Sequence, residues 1–296
     1  MTGRADDVRA AWFAEHRNYL FAVAYRILGV AEDAEDVLQD AWLRFAAVPV
    51  EEVERPRAYL VTVVTRLAID ALRSARRQRE EYVGVWLPEP VPREQALPED
   101  IVEQAESASF AFLLLLERLN PVERAALVLH DVFDYSHNEV AEAIDRSPAA
   151  TRQALRRARL KLGGATRPRG PANEQALGLL TIFLDALRTG DVGHLVSSLA
   201  SDVVLMSDGG GRVNAANRPL AGASQVARFL IAMRGMAPAD DAIAVAVTEL
   251  NGQPALTVTL EGTLDSAFLF DATSEGITAI YVVRNPEKLA RLAGTA

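Results

Sequence analysis

The sequence predicts a multidomain protein, two all-α domains followed by an α+β domain, on three observations. Apolar residues recur at three and four, the helical period, from the start to about residue 170. Alternating, strand-like runs appear only beyond residue 200. Two segments without either period interrupt the chain. Residues 82–101 crowd Pro88, Pro90, Pro92 and Pro98, and residues 166–171 hold only Thr, Arg, Pro and Gly. The expected boundaries are therefore a helical domain over 1–81, a linker over 82–101, a second helical domain over 102–165, a linker over 166–171, and an α+β domain over 172–296.

The elements follow in order. A first helix has Tyr19, Leu20, Val23, Ala24 and Ile27 on one side and stops near Gly29. A second places Ala34, Val37, Leu38, Ala41, Trp42 and Phe45 on one face and Glu32, Asp33, Glu35, Asp36 and Asp40 outside it. Pro56 suits the first turn of a third helix with a buried stripe of Leu60, Val63, Val64, Leu67, Ala71, Leu72 and Ala75. Its other side carries Arg66, Arg73 and Arg77, with Arg76 and Arg79 beside them. Helices resume from about Val102, and Asn120-Pro121-Val122-Glu123 is an N-cap, first-turn proline and capping-box glutamate opening a helix to about Phe133. In the last domain, helices over 177–187 and 192–200 precede a strand over 203–206, the loop Asp208-Gly209-Gly210-Gly211, and a helix over 223–233. An Asn251-Gly252 hairpin and strands over 266–271 and 277–283 complete an antiparallel meander.

Composition excludes several classes of function. With no cysteine, and four histidines (His16, His130, His137, His194) that show no ligand spacing, neither a disulfide, a metal nor a cofactor is expected. No apolar run is long enough to span a membrane and the N-terminus has no apolar signal core, as expected of a cytoplasmic protein. The net charge of −9 argues against a nucleic-acid partner, but salt screens charge within about 8 Å, so the local patch decides. The patches are separated by sign. Acids dominate from Glu32 to Asp40, whereas no acid lies between Ser147 and Gly170, where Arg152, Arg156, Arg157, Arg159, Lys161, Arg167 and Arg169 accumulate. Such segregation suits two kinds of partner.

The strongest local signal is a helix-turn-helix. Ser136 and Glu139 form a capping box before a short helix with Val140, Ala141 and Ile144 inward. A turn through Asp145 and Arg146 follows, and Ser147 caps a helix begun by Pro148. On that second helix Ala150, Ala154, Leu155, Ala158 and Leu162 face the core, leaving Arg152, Arg156 and Arg159 on one exposed side. Guanidinium groups so spaced can bridge guanine acceptors or grip phosphates in a major groove. A solvated basic face explains the same pattern, as it does the arginines after Arg66.

Taken together, these stretches resemble a known family. YLFAVAYRILGVAEDAEDVLQDAWLRF (Tyr19 to Phe45) and RPRAYLVTVVTRLAIDALRSARR (from Arg55) resemble region 2 of extracytoplasmic-function sigma factors of the sigma-70 family. LERLNPVERAALVLHDVF, then YSHNEVAEAIDRSPAATRQALRRARLKL, resemble their region 4. The resemblance implies core RNA polymerase and promoter DNA as partners. It implies that Asp36, Gln39 and Asp40 dock on the polymerase clamp helices. Arg66, Arg73, Arg76 and Arg77 would serve the −10 element, while Arg152, Gln153, Arg156 and Arg157, with Arg159 beside them, would read the −35 element. Arg66 stands where many members have Asn, and Asp145 where the turn usually holds Gly.

Three further runs resemble one subgroup: Trp86-Leu87-Pro88-Glu89-Pro90, Asp208-Gly209-Gly210-Gly211-Arg212-Val213 and Asn285-Pro286-Glu287-Lys288-Leu289. That subgroup carries a C-terminal SnoaL-like, ketosteroid-isomerase-like cone domain of α+β fold. The resemblance implies regulation in cis by that domain, with Trp86, Leu87, Pro88, Glu89, Asp208, Gly209, Gly210, Gly211, Arg212, Asn285 and Pro286 as the interdomain residues; Trp86 offers a large apolar anchor and the glycines a close backbone approach, while Trp86 packing on its own domain and a simple glycine turn explain the same residues. Two other readings stay open. In one, the tail binds a small-molecule ligand in a pocket and senses or transforms it, with Asp208, Asp202, Asp265 and Tyr281 as candidate groups; fold does not fix chemistry, and no spacing defines an acid–base pair, so no catalytic residue is assigned. In the other, the chain is a helix-turn-helix repressor, which would need neither the acidic helix nor the basic third one.

Overall fold

Gly29 adopts a left-handed φ of 77° and its N–H bonds to the Tyr25 carbonyl, which closes helix α1 (Thr2–Leu28) where the sequence expects it. The computed structural model describes residues 2–79, 81–96, 109–163, 173–236 and 242–293, without the side chains of 2–6, 77–78 and 173–176. Helix α2 (Ala31–Ala46) buries Ala31, Ala34, Val37, Leu38, Ala41 and Phe45. Helix α3 (Pro56–Arg79) follows. Short helices α4 (Arg93–Ala96) and α5 (Phe110–Leu116) flank residues 97–108, so the expected helix start at Val102 lies outside the described residues, as does the linker over 166–171.

Helix α6 (Pro121–Leu127) has the full capping box and runs on as a π-helical turn (Val128–Val132). Helices α7 (His137–Ala143) and α8 (Pro148–Lys161) form the helix-turn-helix, with Asp145 at φ 53° in the turn. The stripe on α3 differs from expectation. Val61, Ala68 and Ile69 are buried with Leu60, Val64, Leu67 and Leu72, while Val63, Ala71 and Ala75 are half-buried. Helix α3 packs against α1 and α2 and also against α6 and α7, so its buried arc is wider than one stripe. On α8, Thr151 rather than Ala150 lies fully buried, because its hydroxyl donates to the Ser147 carbonyl at 3.1 Å and needs no water.

The chain divides into two compact units. One comprises Met1–Glu80, Glu94–Ala108 and Phe112–Arg167; the other comprises Glu81–Arg93, Ser109–Ala111 and Pro168–Ala296. In the second unit helices α9 (Asn173–Thr189) and α10 (Val192–Ser198) precede strands β1 (Leu199–Asp208) and β2 (Leu220–Ala221) and helix α11 (Ala223–Gly235). Strands β3 (Ile243–Leu250), β4 (Gln253–Leu260), β5 (Thr263–Thr273) and β6 (Gly276–Val283) and helix α12 (Pro286–Ala293) complete it.

The sheet order is β2-β1-β6-β5-β4-β3. Strands β3 to β6 are the expected antiparallel meander, turning at Asn251 and Gly252 with φ of 53° and 73°. Strand β1 is longer than expected and runs parallel to β6, since the excursion through α11 and the hairpin returns the chain beside it in the same direction. A core cluster lies between one sheet face and α9 to α11, with Phe183 against Phe270 at 5.2 Å. This helix-then-sheet arrangement is the α+β fold expected of the tail.

Candidate functional site

Three surfaces carry the residues singled out by sequence. On α2, Asp36, Gln39 and Asp40 are all exposed on the face opposite the buried one. They form an acidic strip on a rigid helix.

The α3 arginines are positioned differently from a free basic face. Arg66 is exposed, yet its Nε and Nη2 donate to the carbonyls of Ala143 (3.3 Å) and Glu142 (2.7 Å). Arg73 pairs with Asp70 one turn back at 2.8 Å. Arg76 donates to the carbonyls of Glu117 and Leu119, and Arg79 bonds Glu117 Oε2 at 2.6 Å and the Leu28 carbonyl at 2.7 Å. The Arg77 side chain lies outside the described residues. Glu117 also takes the fully buried Arg124; burial pushes its carboxyl up, but Arg124 and Arg79 outweigh that and hold it below the usual carboxylate range.

On α8, the cap geometry is as read: Ser147 Oγ accepts the Ala150 N–H at 3.2 Å. Arg152, Gln153 and Arg156 project outward, and a groove of about 400 Å³ is lined by His137, Arg152, Leu155, Arg156, Arg159, Leu160 and Gly163. Arg159 is held by both oxygens of Asp131, at 2.5 and 3.2 Å, which raises its pKa further. Arg157 is exposed as well, and its Nε bonds the buried Glu123 at 3.1 Å, where Lys161 also pairs at 2.6 Å. It therefore braces α8 on α6 while remaining on the exposed side of the helix.

In the second unit the three subgroup-like runs meet at one carboxylate. Asp208 is fully buried at the end of β1. Its Oδ1 accepts from the Tyr82 hydroxyl (2.6 Å) and the Gly210 N–H (2.9 Å), and its Oδ2 from the Leu87 N–H (2.9 Å) and Lys288 Nζ (2.6 Å). Its own carbonyl accepts the N–H groups of Arg284 and Asn285. Such a carboxylate, with every lone pair taken and a cation beside it, is the condition under which a buried charge is tolerated.

Around it, Asn285 Nδ2 donates to the Tyr82 hydroxyl at 3.0 Å, and Lys288 reaches the Leu87 carbonyl. Lys288 Nζ lies 4.4 Å from the centroid of the Trp86 ring. Burial, and then Asp208 itself, push the Tyr82 hydroxyl up. Gly210 sits at φ 63°, and a Cβ there would meet the Asn285 amide at 2.6 Å; a Cβ on Gly209 would meet the Val213 carbonyl at 2.4 Å. Leu87, Pro88, Glu89 and Pro90 are buried, and Arg291 lies 3.9 Å from Glu89. Arg212 pairs with Glu287 at the surface, and Pro286 opens α12.

Sequence reasoning assembled most of this cluster but missed Tyr82 and Lys288. Lys288 was in plain view inside the Asn285-to-Leu289 run, where an ammonium beside a motif aspartate is a signal. Among the candidate acid–base groups, Asp265 is engaged by Arg284 at 2.7 Å, Asp202 is exposed, and Tyr281 donates to Asp271 at 2.6 Å. Each is placed as a structural partner or a solvated group.

Comparison with known proteins matches this layout. The Sigma-70 region 2 family model matches residues 12–78, and the Sigma-70 region 4 model residues 109–162. The ECF RNA polymerase sigma factor SigJ of Mycobacterium tuberculosis is 41% identical over 227 residues, 75% of this chain and 72% of that protein. The probable ECF RNA polymerase sigma factor SigI of the same species is 30% identical over 287 residues, 96% of this chain and 95% of that one. The crystal structure of the M. tuberculosis extracytoplasmic function sigma factor SigJ superposes with a TM-score of 0.73 at 32% identity, over 95% of this chain and 98% of that one. With both sigma regions in order and relatives matched over most of their length, the chain belongs to the extracytoplasmic-function RNA polymerase sigma factors.

Proposed function

We propose that the chain directs core RNA polymerase to promoters through the two oppositely charged surfaces described above, and that its C-terminal domain regulates this in cis through the Asp208 cluster. The observation that carries the reading is the segregation of charge on rigid helices. Asp36, Gln39 and Asp40 form an exposed acidic strip suited to a protein partner, and Arg152, Gln153 and Arg156 an exposed basic row on the second helix of a helix-turn-helix. Phosphate contacts by α8, and later by Arg66, Arg73 and Arg76 on α3, position the duplex, while bidentate guanidinium contacts to guanine supply sequence choice. The acidic sum over the whole chain is no obstacle, since screening leaves only nearby charge to act.

Regulation in cis rests on the segment from Tyr82 to Val91, which the Asp208 cluster holds on the tail. The segment joins regions 2 and 4 in sequence, so whatever fixes it constrains the tether between two DNA-binding elements. Run-off transcription with core enzyme, comparing the full chain with one ending near Gly170, tests the proposal. A promoter-dependent transcript whose yield changes on truncation is expected. Equal yield from both chains would reject the regulatory role of the tail.

A further inference from the structure

One arginine in the groove of α8 is held in a fixed orientation. Arg159 donates from Nε to Asp131 Oδ2 at 3.2 Å and from Nη2 to Oδ1 at 2.5 Å, so both carboxylate oxygens grip one edge of its guanidinium. Among the described residues no carboxylate holds Arg152 or Arg156 in this way. Arg157 is tied to Glu123 through Nε alone and does not line the groove. Asp131 comes from another element, the π-helical turn Val128–Val132 that prolongs α6, where the Phe133 N–H reaches back to the Val128 carbonyl at 3.2 Å. Such a turn holds one residue more than an α turn and so shifts, by roughly 100°, the side on which later residues emerge. Asp131 emerges toward α8.

The pair is too exposed to add much stability, with 46% of the Arg159 side chain and 20% of that of Asp131 facing solvent. Its effect is on geometry and charge. A guanidinium carries five N–H donors in a rigid planar fork. With Nε and one Nη2 hydrogen engaged by Asp131, the adjoining edge keeps Nη1 and the second Nη2 hydrogen as a parallel pair of donors. Guanine presents O6 and N7 to the major groove as two adjacent acceptors that match such a pair.

We propose that Asp131 is a positioning residue for promoter reading: by holding one edge of Arg159 it preorganises the other for guanine, so that Arg159 is the base-reading arginine of the groove while Arg152 and Arg156 contact phosphates. Three effects favour this division. The carboxylate offsets the charge of Arg159, so a phosphate gains less from it than from an unpaired guanidinium. Holding the side chain before contact spares the rotamer freedom that a mobile arginine loses on binding. A wrong base leaves the held donors without acceptors, which is costly once water is excluded. The inference deepens the promoter reading of α8 and rests on it.

The test uses holoenzyme assembled from the full-length chain and core RNA polymerase, presented with a pool of randomised duplexes. The bound fraction is sequenced for the parent, Arg159→Lys, Asp131→Asn, Asp131→Glu and Arg152→Lys, each variant checked by thermal melting. Arg159→Lys keeps the charge and loses the fork. The parent should enrich a motif with one guanine whose preference falls by about tenfold in Arg159→Lys, the other positions holding. Asp131→Asn should lose most of the same preference and bind unselected duplex with a slope of log affinity against log salt steeper by about 0.9, because the released Arg159 takes up a phosphate. Asp131→Glu, which keeps the carboxylate, should restore part of the preference, and Arg152→Lys should leave every base preference in place. An ion pair that only ties α8 to its neighbour would alter melting without singling out one base. If Asp131→Asn fails to fold, the two lysine variants still decide which arginine reads. A guanine preference unchanged in Arg159→Lys overturns the base-reading role. A preference lost in Arg159→Lys but kept in folded Asp131→Asn overturns the positioning role, and a guanine that responds to Arg152→Lys instead overturns the division between the arginines. A parent holoenzyme that enriches no motif removes the promoter reading itself, and the inference with it.

Discussion

Replacing Asp208 by Asn leaves the shape of the cluster intact and removes its charge. The buried carboxylate accepts from Tyr82, Gly210, Leu87 and Lys288, and Lys288 is itself almost fully buried, with 8% of its side chain exposed. An amide keeps one acceptor oxygen but turns two N–H donors toward groups that also donate. It leaves the Lys288 ammonium without its counter-charge. Breaking a buried pair from one side costs about 3–5 kcal/mol. For a unit of this size, at about 3 °C per kcal/mol, this lowers the midpoint of thermal unfolding by about 9–15 °C.

The loss should be local first. The Tyr82–Val91 segment would leave the tail before the sheet melts, so limited proteolysis should cut near Gly84 at temperatures where the parent resists. The double variant Asp208→Asn with Lys288→Met should recover part of the loss, because the stranded charge is gone, and the cycle of four proteins gives the coupling directly. An Asp208→Asn protein that melts within about 1 kcal/mol of the parent, with the segment equally protected, would refute the argument that this charge holds the segment down.

Two more outcomes follow from the same geometry. Burial raises the pKa of Asp271 to about 6, only partly offset by the hydrogen bond from Tyr281. Because the folded value lies above the unfolded one, the protonated group favours folding below about pH 4, and that advantage is lost as pH rises through about 6; Asp271→Asn should therefore stabilise the unit by about 1–3 kcal/mol at pH 7.5 and by much less at pH 4, as read by chemical denaturation at both values. Arg152→Ala should weaken duplex binding and reduce the slope of log affinity against log salt by about 0.9 if Arg152 neutralises one phosphate, while an unchanged slope assigns it a base contact or none.

What could be read from sequence was set by interactions that close within a few residues. The capping boxes at Asn120 and Ser136, Ser147 before Pro148, and the Asn251-Gly252 turn each involve partners at most three residues apart, and each stands where expected. The Asp208 cluster was legible only as three runs that resemble a subgroup. Which side chains meet there depends on partners 80 residues apart or more, such as Lys288 and Tyr82, and period and propensity carry no such information. The same limit hid the role of Arg66: its spacing marks an exposed face, and only the docking of α7 turns that face into a helix cap. The parallel pairing of β1 with β6 was missed for an analogous reason, since strand alternation is the same whichever neighbour is chosen.

Initiation by core polymerase at a cognate promoter, measured with three full-length proteins, addresses the division of charge most directly. The parent should bind core enzyme and start transcription. Asp36→Ala with Gln39→Ala should lose the polymerase while keeping duplex binding, and Arg152→Ala with Arg156→Ala should keep the polymerase while losing the promoter. Either double variant initiating as well as the parent would contradict the assignment of these two surfaces to two different partners.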